Sequence, residues 1–311
     1  MSSFLGRLLL FLLFFGALLY FPQFLMWQKV YEEDILNGLR VAQERLETTK
    51  DEPRFIIQGG SSNAYGINSK LLQDSMMSKY QVVNLATVGG VGVEFMLAHL
   101  RQEAKSGDFI LFALEPGTPY PAPVPVMRIA KELHPSLDLS IEKSPEEIFK
   151  GVLYLERWRL RNTWDNIIYG RAEPGNPRFR HGRAFNNYGD QTYHLDKAPM
   201  KLKSYQLHLE RSLKYRKDLA DFVKWCDSSG VKLVFGYVPR TADLMERCGD
   251  VIDAHYRILD SIAPNNFVGQ QAAYVYPESL FFDDHLHLHV EGRDKHTQQL
   301  LQDLKLHIQP R

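Results

Sequence analysis

The stretch Phe55–Ser69, FIIQGGSSNAYGINS, decides the fold. An apolar run halts at two glycines, two serines and an asparagine, and a helix-like segment follows. A short continuous apolar run bounded by turn formers reads as a strand buried on both faces. The turn after it has two readings: a plain tight turn with a capped helix, or a turn that holds a serine up as a nucleophile.

The same alternation recurs along the chain. QVVNLAT at Gln81–Thr87, FILFALEP at Phe109–Pro116 and VKLVFGYVP at Val231–Pro239 read as further strands. Helical patterns stand between them: SKLLQDSMMSKY with Asn68 or Ser69 as its cap, the segment from Gly92 closed by Gly107, and Leu207–Ser229. NNFVGQQAAYVYP at Asn265–Pro277 is a weaker fifth strand, and the chain closes on a helix from Gly292. Continuous apolar strands separated by helices predict a parallel sheet covered on both faces. The expected fold is α/β: a doubly wound (flavodoxin-like) parallel sheet in three αβα layers over residues 53–311.

The alternation breaks between Pro116 and Met200, which reads as an insertion over one end of the sheet. GTPYPAPVPV is extended and irregular. A helix follows over Ser144–Leu160, with Ser144 and Glu147 as a capping box and Pro145 in its first turn. Trp158, Trp164, Arg157, Arg159 and Arg161 fit either a sugar groove or a salt-bridged helix face with a buried tryptophan.

The first residues belong to another class. Leu8–Trp27, LLLFLLFFGALLYFPQFLMW, contains no charge, and about 20 apolar residues cross a bilayer core. A cleaved signal would end in small residues, which YFPQFLMW lacks. The expectation is therefore a single-pass anchor over residues 1–28, then a helical stalk over 29–52. Arg7 before the span predicts the N-terminus inside and the main domain outside. In a bacterium that means the inner membrane with a periplasmic domain. Lys+Arg and Asp+Glu both number 37, so no net basic field argues for nucleic acid. Cys226 and Cys248 allow one disulfide or two free thiols.

In an open α/β sheet, ligands bind beyond the carboxyl ends of the strands, and GGSSN lies at such an end. A serine there attacks a carbonyl only if a base takes its proton. FFDDHLHLHVEGRDKHT, Phe281–Thr297, supplies that base before the last helix: Asp284 and His287 stand three apart, a spacing that sets a carboxylate against one ring nitrogen and frees the other for serine. The alternating His285, His287 and His289 beside Asp283 and Asp284 also admit a metal-dependent hydrolase.

These motifs together resemble the SGNH (GDSL-like) hydrolase superfamily, and more narrowly its membrane-anchored members from bacterial cell-envelope polysaccharide pathways. The resemblance runs from about Arg54 to the final helix through GGSSNAYGINS, VVNLATVGG, SGDFILFALEP, AFNNYGD and DDHLHLHVEGR. It implies Ser61 as nucleophile, with Ser62 the alternative, His287 as base and Asp284 as its partner, with Asp283 a rival. Gly89 or Gly90 joins the N–H of Ser61 in an oxyanion hole that Gly60 borders. The implied activity is hydrolysis or transfer of O-acyl, most plausibly O-acetyl, groups on an envelope or exported polysaccharide, without a cofactor. The implied partners are the membrane, the acylated sugar and other proteins of polysaccharide assembly; a binding protein that no longer turns over is the alternative. One position departs from the pattern. Many active members have asparagine at the end of the third strand, where this chain has Glu115. Its carboxylate would repel an oxyanion unless protonated by burial or paired with an arginine, for which Arg240 is the candidate. The plainer reading is a glutamate that caps a turn ahead of Pro116.

Overall fold

The computed structural model describes residues 2–32, 37–76, 79–87, 89–133, 143–169, 185–203, 207 and 209–308. In chain order the elements are α1 (Ser2–Glu32), α2 (Asn37–Thr48), β1 (Arg54–Gly59), α3 (Ser61–Gly66), α4 (Ser69–Met76), β2 (Gln81–Asn84), α5 (Val93–Glu103) and β3 (Phe109–Ala113). Then come α6 (Val124–Leu133), α7 (Pro145–Tyr169), α8 (Leu209–Lys214), α9 (Arg216–Ser229), β4 (Lys232–Phe235), β5 (Arg240–Thr241), α10 (Ala242–Ile262), β6 (Val275–Tyr276) and α11 (Val290–Ile308).

The architecture is α/β. Four parallel strands lie in the order β2-β1-β3-β4, with Ile56 opposite both Val83 and Ile110. Helices cover both faces, and the strand side chains alternate between two cores. Ile56, Val83, Ile110, Phe112, Leu233 and Phe235 point to the face packed by α2, α5, α9 and α10. Phe55, Ile57, Val82, Phe109, Leu111 and Val234 point to the face packed by α4 and α11. Burial on both sides explains why the strands carry no polar alternation. The chain leaves β1 for β2 on one side and returns to β3 on the other, so the order reverses beside β1. That reversal opens a crevice at the carboxyl ends of β1 and β3.

Several local expectations are met by side-chain chemistry. Asn68 Oδ1 accepts the N–H of Leu71 at 3.2 Å and caps α4. Ser144 and Glu147 form the reciprocal capping box, with Ser144 N–H donating to Glu147 Oε2 at 2.9 Å and Glu147 N–H to Ser144 Oγ at 3.3 Å. The helix they start runs on to Tyr169. Arg157 and Arg161 are exposed and Trp164 is half-buried, while the side chains of Trp158 and Arg159 lie outside the described residues.

Three expectations are corrected. The expected fifth strand is divided: Phe267 forms one parallel bridge to Phe235 beside β4, while Val275 and Tyr276 pair with Arg240 and Thr241 in a separate ribbon. Leu207–Ser229 is not one helix, because Tyr215 (φ −92°, ψ 4°) separates α8 from α9. The part of the expected stalk that forms α2 buries Leu39, Ala42 and Leu46 in the first core, so it is a helix of the domain. Of the two states left open for Cys226 and Cys248, the structure has the free thiols. An unexpected element is α10, capped where Leu244 N–H donates to Thr241 Oγ1 at 3.1 Å. Its Leu244, Ile252, Tyr256 and Leu259 are buried at helical spacing.

Among the described residues no helix is long and apolar enough to cross a membrane. The expected span Leu8–Trp27 lies within α1, but the side chains of Leu19 and of residues 22–27 lie outside the described residues. Those described, from Phe4 to Phe21, leave a run of large apolar groups exposed.

Candidate active site

Ser61 is the first residue of α3, directly beyond β1. Asn63 fixes this turn by donating from Nδ2 to the Ala113 carbonyl at 2.9 Å, at the end of β3. From the opposite side comes the loop Phe281–His289. It is closed by an antiparallel bridge between Phe281 and Leu288 and by Phe282 N–H donating to the His287 carbonyl at 2.8 Å.

The loop brings His287 Nε2 to 2.8 Å from Ser61 Oγ. The other ring nitrogen, Nδ1, lies 2.8 Å from Asp283 Oδ1 and 3.2 Å from Asp284 Oδ2. Carboxylates accept only, so Nδ1 carries the ring proton and Nε2 is left to accept from Ser61. Asp284 was the expected partner of His287, yet the nearer carboxylate is Asp283. The reason is local: Asp284 Oδ1 is engaged by the N–H groups of Leu286 and His287 at 2.8 and 2.9 Å, which makes it the brace of the turn. Lys203 Nζ holds Asp283 from outside at 3.0 Å. Tyr65 stacks on the His287 ring, with centroids 4.2 Å apart and planes at 11°.

The electrostatics follow from this packing. Burial opposes a charge on His287, but Asp284 and Asp283 together outweigh it and raise its pKa above the usual 6.5. Burial also pushes the Asp283 carboxyl upward, and its bonds to His287 and Lys203 overcome that and hold it well below the ordinary range. The resting site therefore has an ionised carboxylate oriented against a histidine of enhanced basicity.

Ser62 does not compete for this role. It is fully buried, and its N–H donates to Glu115 Oε1 at 2.6 Å. Glu115 is itself only 4% exposed. Two glycines make room for its carboxyl group: a Cβ on Gly60 would lie 2.4 Å from Glu115 Cδ, and one on Gly89 would lie 2.5 Å from Oε2. Gly89 is thus the glycine against the site, while Gly90 in the same 3-10 turn is exposed. Among the described residues no hydrogen bond takes up the N–H of Ser61, Gly89 or Gly90. Burial raises the pKa of Glu115, against the opposing pull of the Ser62 N–H.

The expected pairing of Glu115 with Arg240 is not formed. Arg240 is buried, but its guanidinium donates to the carbonyls of Val238 at 3.0 Å and Gln271 at 2.7 Å and lies over the Tyr256 ring. These acceptors flank the β5–β6 ribbon, so the arginine serves that ribbon rather than the crevice. Glu115 caps the start of α3; its own carbonyl separately accepts from Thr118.

The three alternating histidines diverge. His285 Nδ1 meets Thr241 Oγ1 at 2.8 Å, His287 meets Ser61, and His289 Nε2 donates to the Lys197 carbonyl at 2.7 Å. Two mixed groups, Asp283–Asp284–His287 and Asp243–Glu278–His285, do hold ligand atoms within 4.8 Å of one another. In the first group those atoms already bond one another.

Sequence reasoning misses the support of the site. Asp190, from the FNNYGD segment, is fully buried. It accepts from Ser69 N–H at 3.0 Å, from the Ser69 hydroxyl, from Asn84 Nδ2 and Asn186 Nδ2 at 2.9 Å each, and from Arg293 Nη2 at 2.7 Å. Arg293 also donates to the Ile67 carbonyl at 2.9 Å. One carboxylate thus ties β2, α4 and α11 beneath the Ser61 and His287 loops. His194 packs against the Tyr65 ring with centroids 4.6 Å apart and planes tilted by 34°, and burial pushes its pKa down to about 3, so it stays neutral.

If Ser61 is the nucleophile of an acyl transfer, Asp283→Asn should lower kcat/KM by about 10²–10³-fold. The loss stays short of the ~10⁴-fold seen where the carboxylate has no neighbour to replace it. Asp284→Asn keeps an oxygen for the two backbone N–H groups and should lose less than about 10-fold. The reverse order would make Asp284 the orienting group.

No protein-family model matches the chain, and no curated protein matches it.

Proposed function

We propose that the chain is a membrane-anchored, SGNH-type serine hydrolase or acyltransferase acting on O-acyl esters, O-acetyl first among them, of an envelope or exported polysaccharide. The observation that carries the chemistry is the unbroken hydrogen-bonded row Ser61–His287–Asp283 at the carboxyl end of a parallel sheet. The strand order β2-β1-β3-β4 supports the doubly wound, flavodoxin-like arrangement in three layers. The substrate class rests on the sequence resemblance, as do the partners. The anchor, with N-terminus cytoplasmic and domain periplasmic, rests on the uncharged run Leu8–Trp27 and Arg7.

In this reading Ser61 Oγ bonds to the ester carbonyl carbon as its proton passes to His287 Nε2. The carbonyl oxygen becomes an oxyanion facing the N–H groups of Ser61 and Gly89. Collapse breaks the ester C–O bond, and His287 returns the proton to the departing sugar oxygen. Water or a sugar hydroxyl then attacks the acyl-Ser61 carbonyl, giving its proton to His287, which passes it back to Ser61 Oγ.

A fluorophosphonate should label Ser61, and acetylated sugars should be deacylated at an unchanged rate in a chelator. kcat/KM should fall on the acid side, because protonated His287 cannot accept from Ser61; the midpoint should lie above 6.5. Alkaline phosphatase fused after Arg311 should be active and a cytoplasmic fluorescent reporter dark; the opposite pair overturns the orientation. The carboxyl group of Glu115 beside the Ser62 N–H favours a second reading, a binding protein with an occupied oxyanion site. No labelling and no turnover, with equal binding of acylated polysaccharide by wild type and Ser61→Ala, would establish it.

A further inference from the structure

We propose that Glu115 is itself a catalytic residue: as a neutral carboxylic acid it donates its O–H to the oxyanion formed when Ser61 attacks. The inference rests on the serine reading above and adds a donor to it.

The carboxyl group sits against the turn that carries the nucleophile. Oε1 is committed as acceptor to the Ser62 N–H at 2.6 Å. Oε2 lies on the Gly89 side, where a Cβ would stand 2.5 Å from it. The carboxyl group thus lies against the residues on either side of Ser61 and against Gly89, and among the described residues no hydrogen bond takes up the N–H of Ser61 or Gly89. An oxyanion held by those two groups therefore forms within reach of Oε2. An ionised carboxylate there would repel it, whereas a protonated one supplies a third donor.

The surroundings favour the protonated form. Among the described residues no lysine or arginine pairs with Glu115, since Arg240 is committed to carbonyls elsewhere. The titratable groups that face it are His287 and Asp284, from the loop before α11, and the Tyr256 phenol from α10. Of these, Asp284 opposes ionisation of Glu115 and a protonated His287 favours it, as does the hydrogen bonding from Ser62. Burial is the largest influence and acts in the same direction as Asp284. With His287 neutral in the working state, one of the influences that favour the ionised acid is removed.

The test uses the full chain in detergent with two variants, Glu115→Gln and Glu115→Ala. An acid whose folded pKa is raised binds its proton more tightly folded than unfolded. The stability it contributes is present below the ordinary value of 4.5 and is lost as pH rises through the folded value. Wild type should therefore lose denaturation midpoint relative to Glu115→Gln as pH rises from about 5 to 8; a constant difference would overturn the proposal. In kinetics, Glu115→Gln keeps a neutral donor. The wild-type rate should fall at alkaline pH as Glu115 ionises; Glu115→Gln should hold kcat within about 10-fold and show no such fall, while Glu115→Ala should lose about 10²–10³-fold in kcat with little change in KM. Two kinetic results also overturn the proposal alone: an alanine variant as fast as a labelled, active wild type, or a glutamine variant far faster than wild type at every pH, which would make the acid an obstruction. A wild type that neither labels at Ser61 nor turns over any ester removes the serine reading and this inference with it.

Discussion

Ser61→Ala should lower kcat on an acetyl ester by about 10⁵–10⁶-fold, and His287→Ala should lower it by a similar factor. The two side chains are one unit, joined at 2.8 Å, and neither performs the acyl step without the other. Serine without its base keeps its proton at neutral pH. Histidine without the serine has no nucleophile to activate. The double variant should therefore be no slower than either single one, whereas independent contributions would multiply. Ser61 is half-buried and its hydroxyl is small, so Ser61→Ala should keep the native circular dichroism and denaturation midpoint. His287→Ala also removes a ring stacked on Tyr65, and its fold needs the same check. Retained turnover in Ser61→Ala, abolished by a chelator, would instead assign the chemistry to a metal bound by Asp283, Asp284 and His287.

The second large effect is on stability. Asp190→Ala should destabilise the domain by about 3–5 kcal/mol, because Arg293 is left as a charge buried without its carboxylate. The loss extends beyond the ion pair. Ser69, Asn84 and Asn186 lose an acceptor at once, and each unsatisfied buried donor adds its own penalty. Denaturant midpoints of Asp190→Ala, Arg293→Met and the double variant form a cycle in which the double should cost much less than the sum. Activity should fall with the folded fraction, since Asp190 touches neither Ser61 nor His287. Additive losses would show that the two charges act separately.

The parts of this molecule legible in its sequence are those written locally. β1 to β4 announce themselves because each is buried on both faces, and the caps at Asn68 and Ser144 lie within three residues of their partners. Ser61 and His287 are legible for a different reason: each sits at an element boundary, where a glycine pair or an Asp-Asp-His run has little structural reason to occur. The choice between Asp283 and Asp284 is not legible, because it turns on which side chain the backbone N–H groups of the loop recruit. Lys203, 80 residues from Asp283, and Arg293, 103 residues from Asp190, leave no local trace of their pairings. Arg240 illustrates the opposite error. Its position beyond β4 points to the crevice, but two carbonyls flanking the β5–β6 ribbon claim its guanidinium first. α10 carries a sequence signal in Thr241, Asp243 and the spacing of Ile252, Tyr256 and Leu259, partly masked by the polar residues between them.

The packing of α2 into the first core sets the length of a leash. Only residues 33–36 separate the end of α1 from the start of α2, a reach of at most ~18 Å when fully extended. A domain of this size has a radius of gyration of about 18 Å. With α1 held in a bilayer, Ser61 is confined to a shell about one domain diameter deep above the lipid. Under the proposed function, such an enzyme would search in two dimensions. It would meet polymer that is still tethered to the surface or emerging from it, and strands that have diffused away would pass beyond its reach.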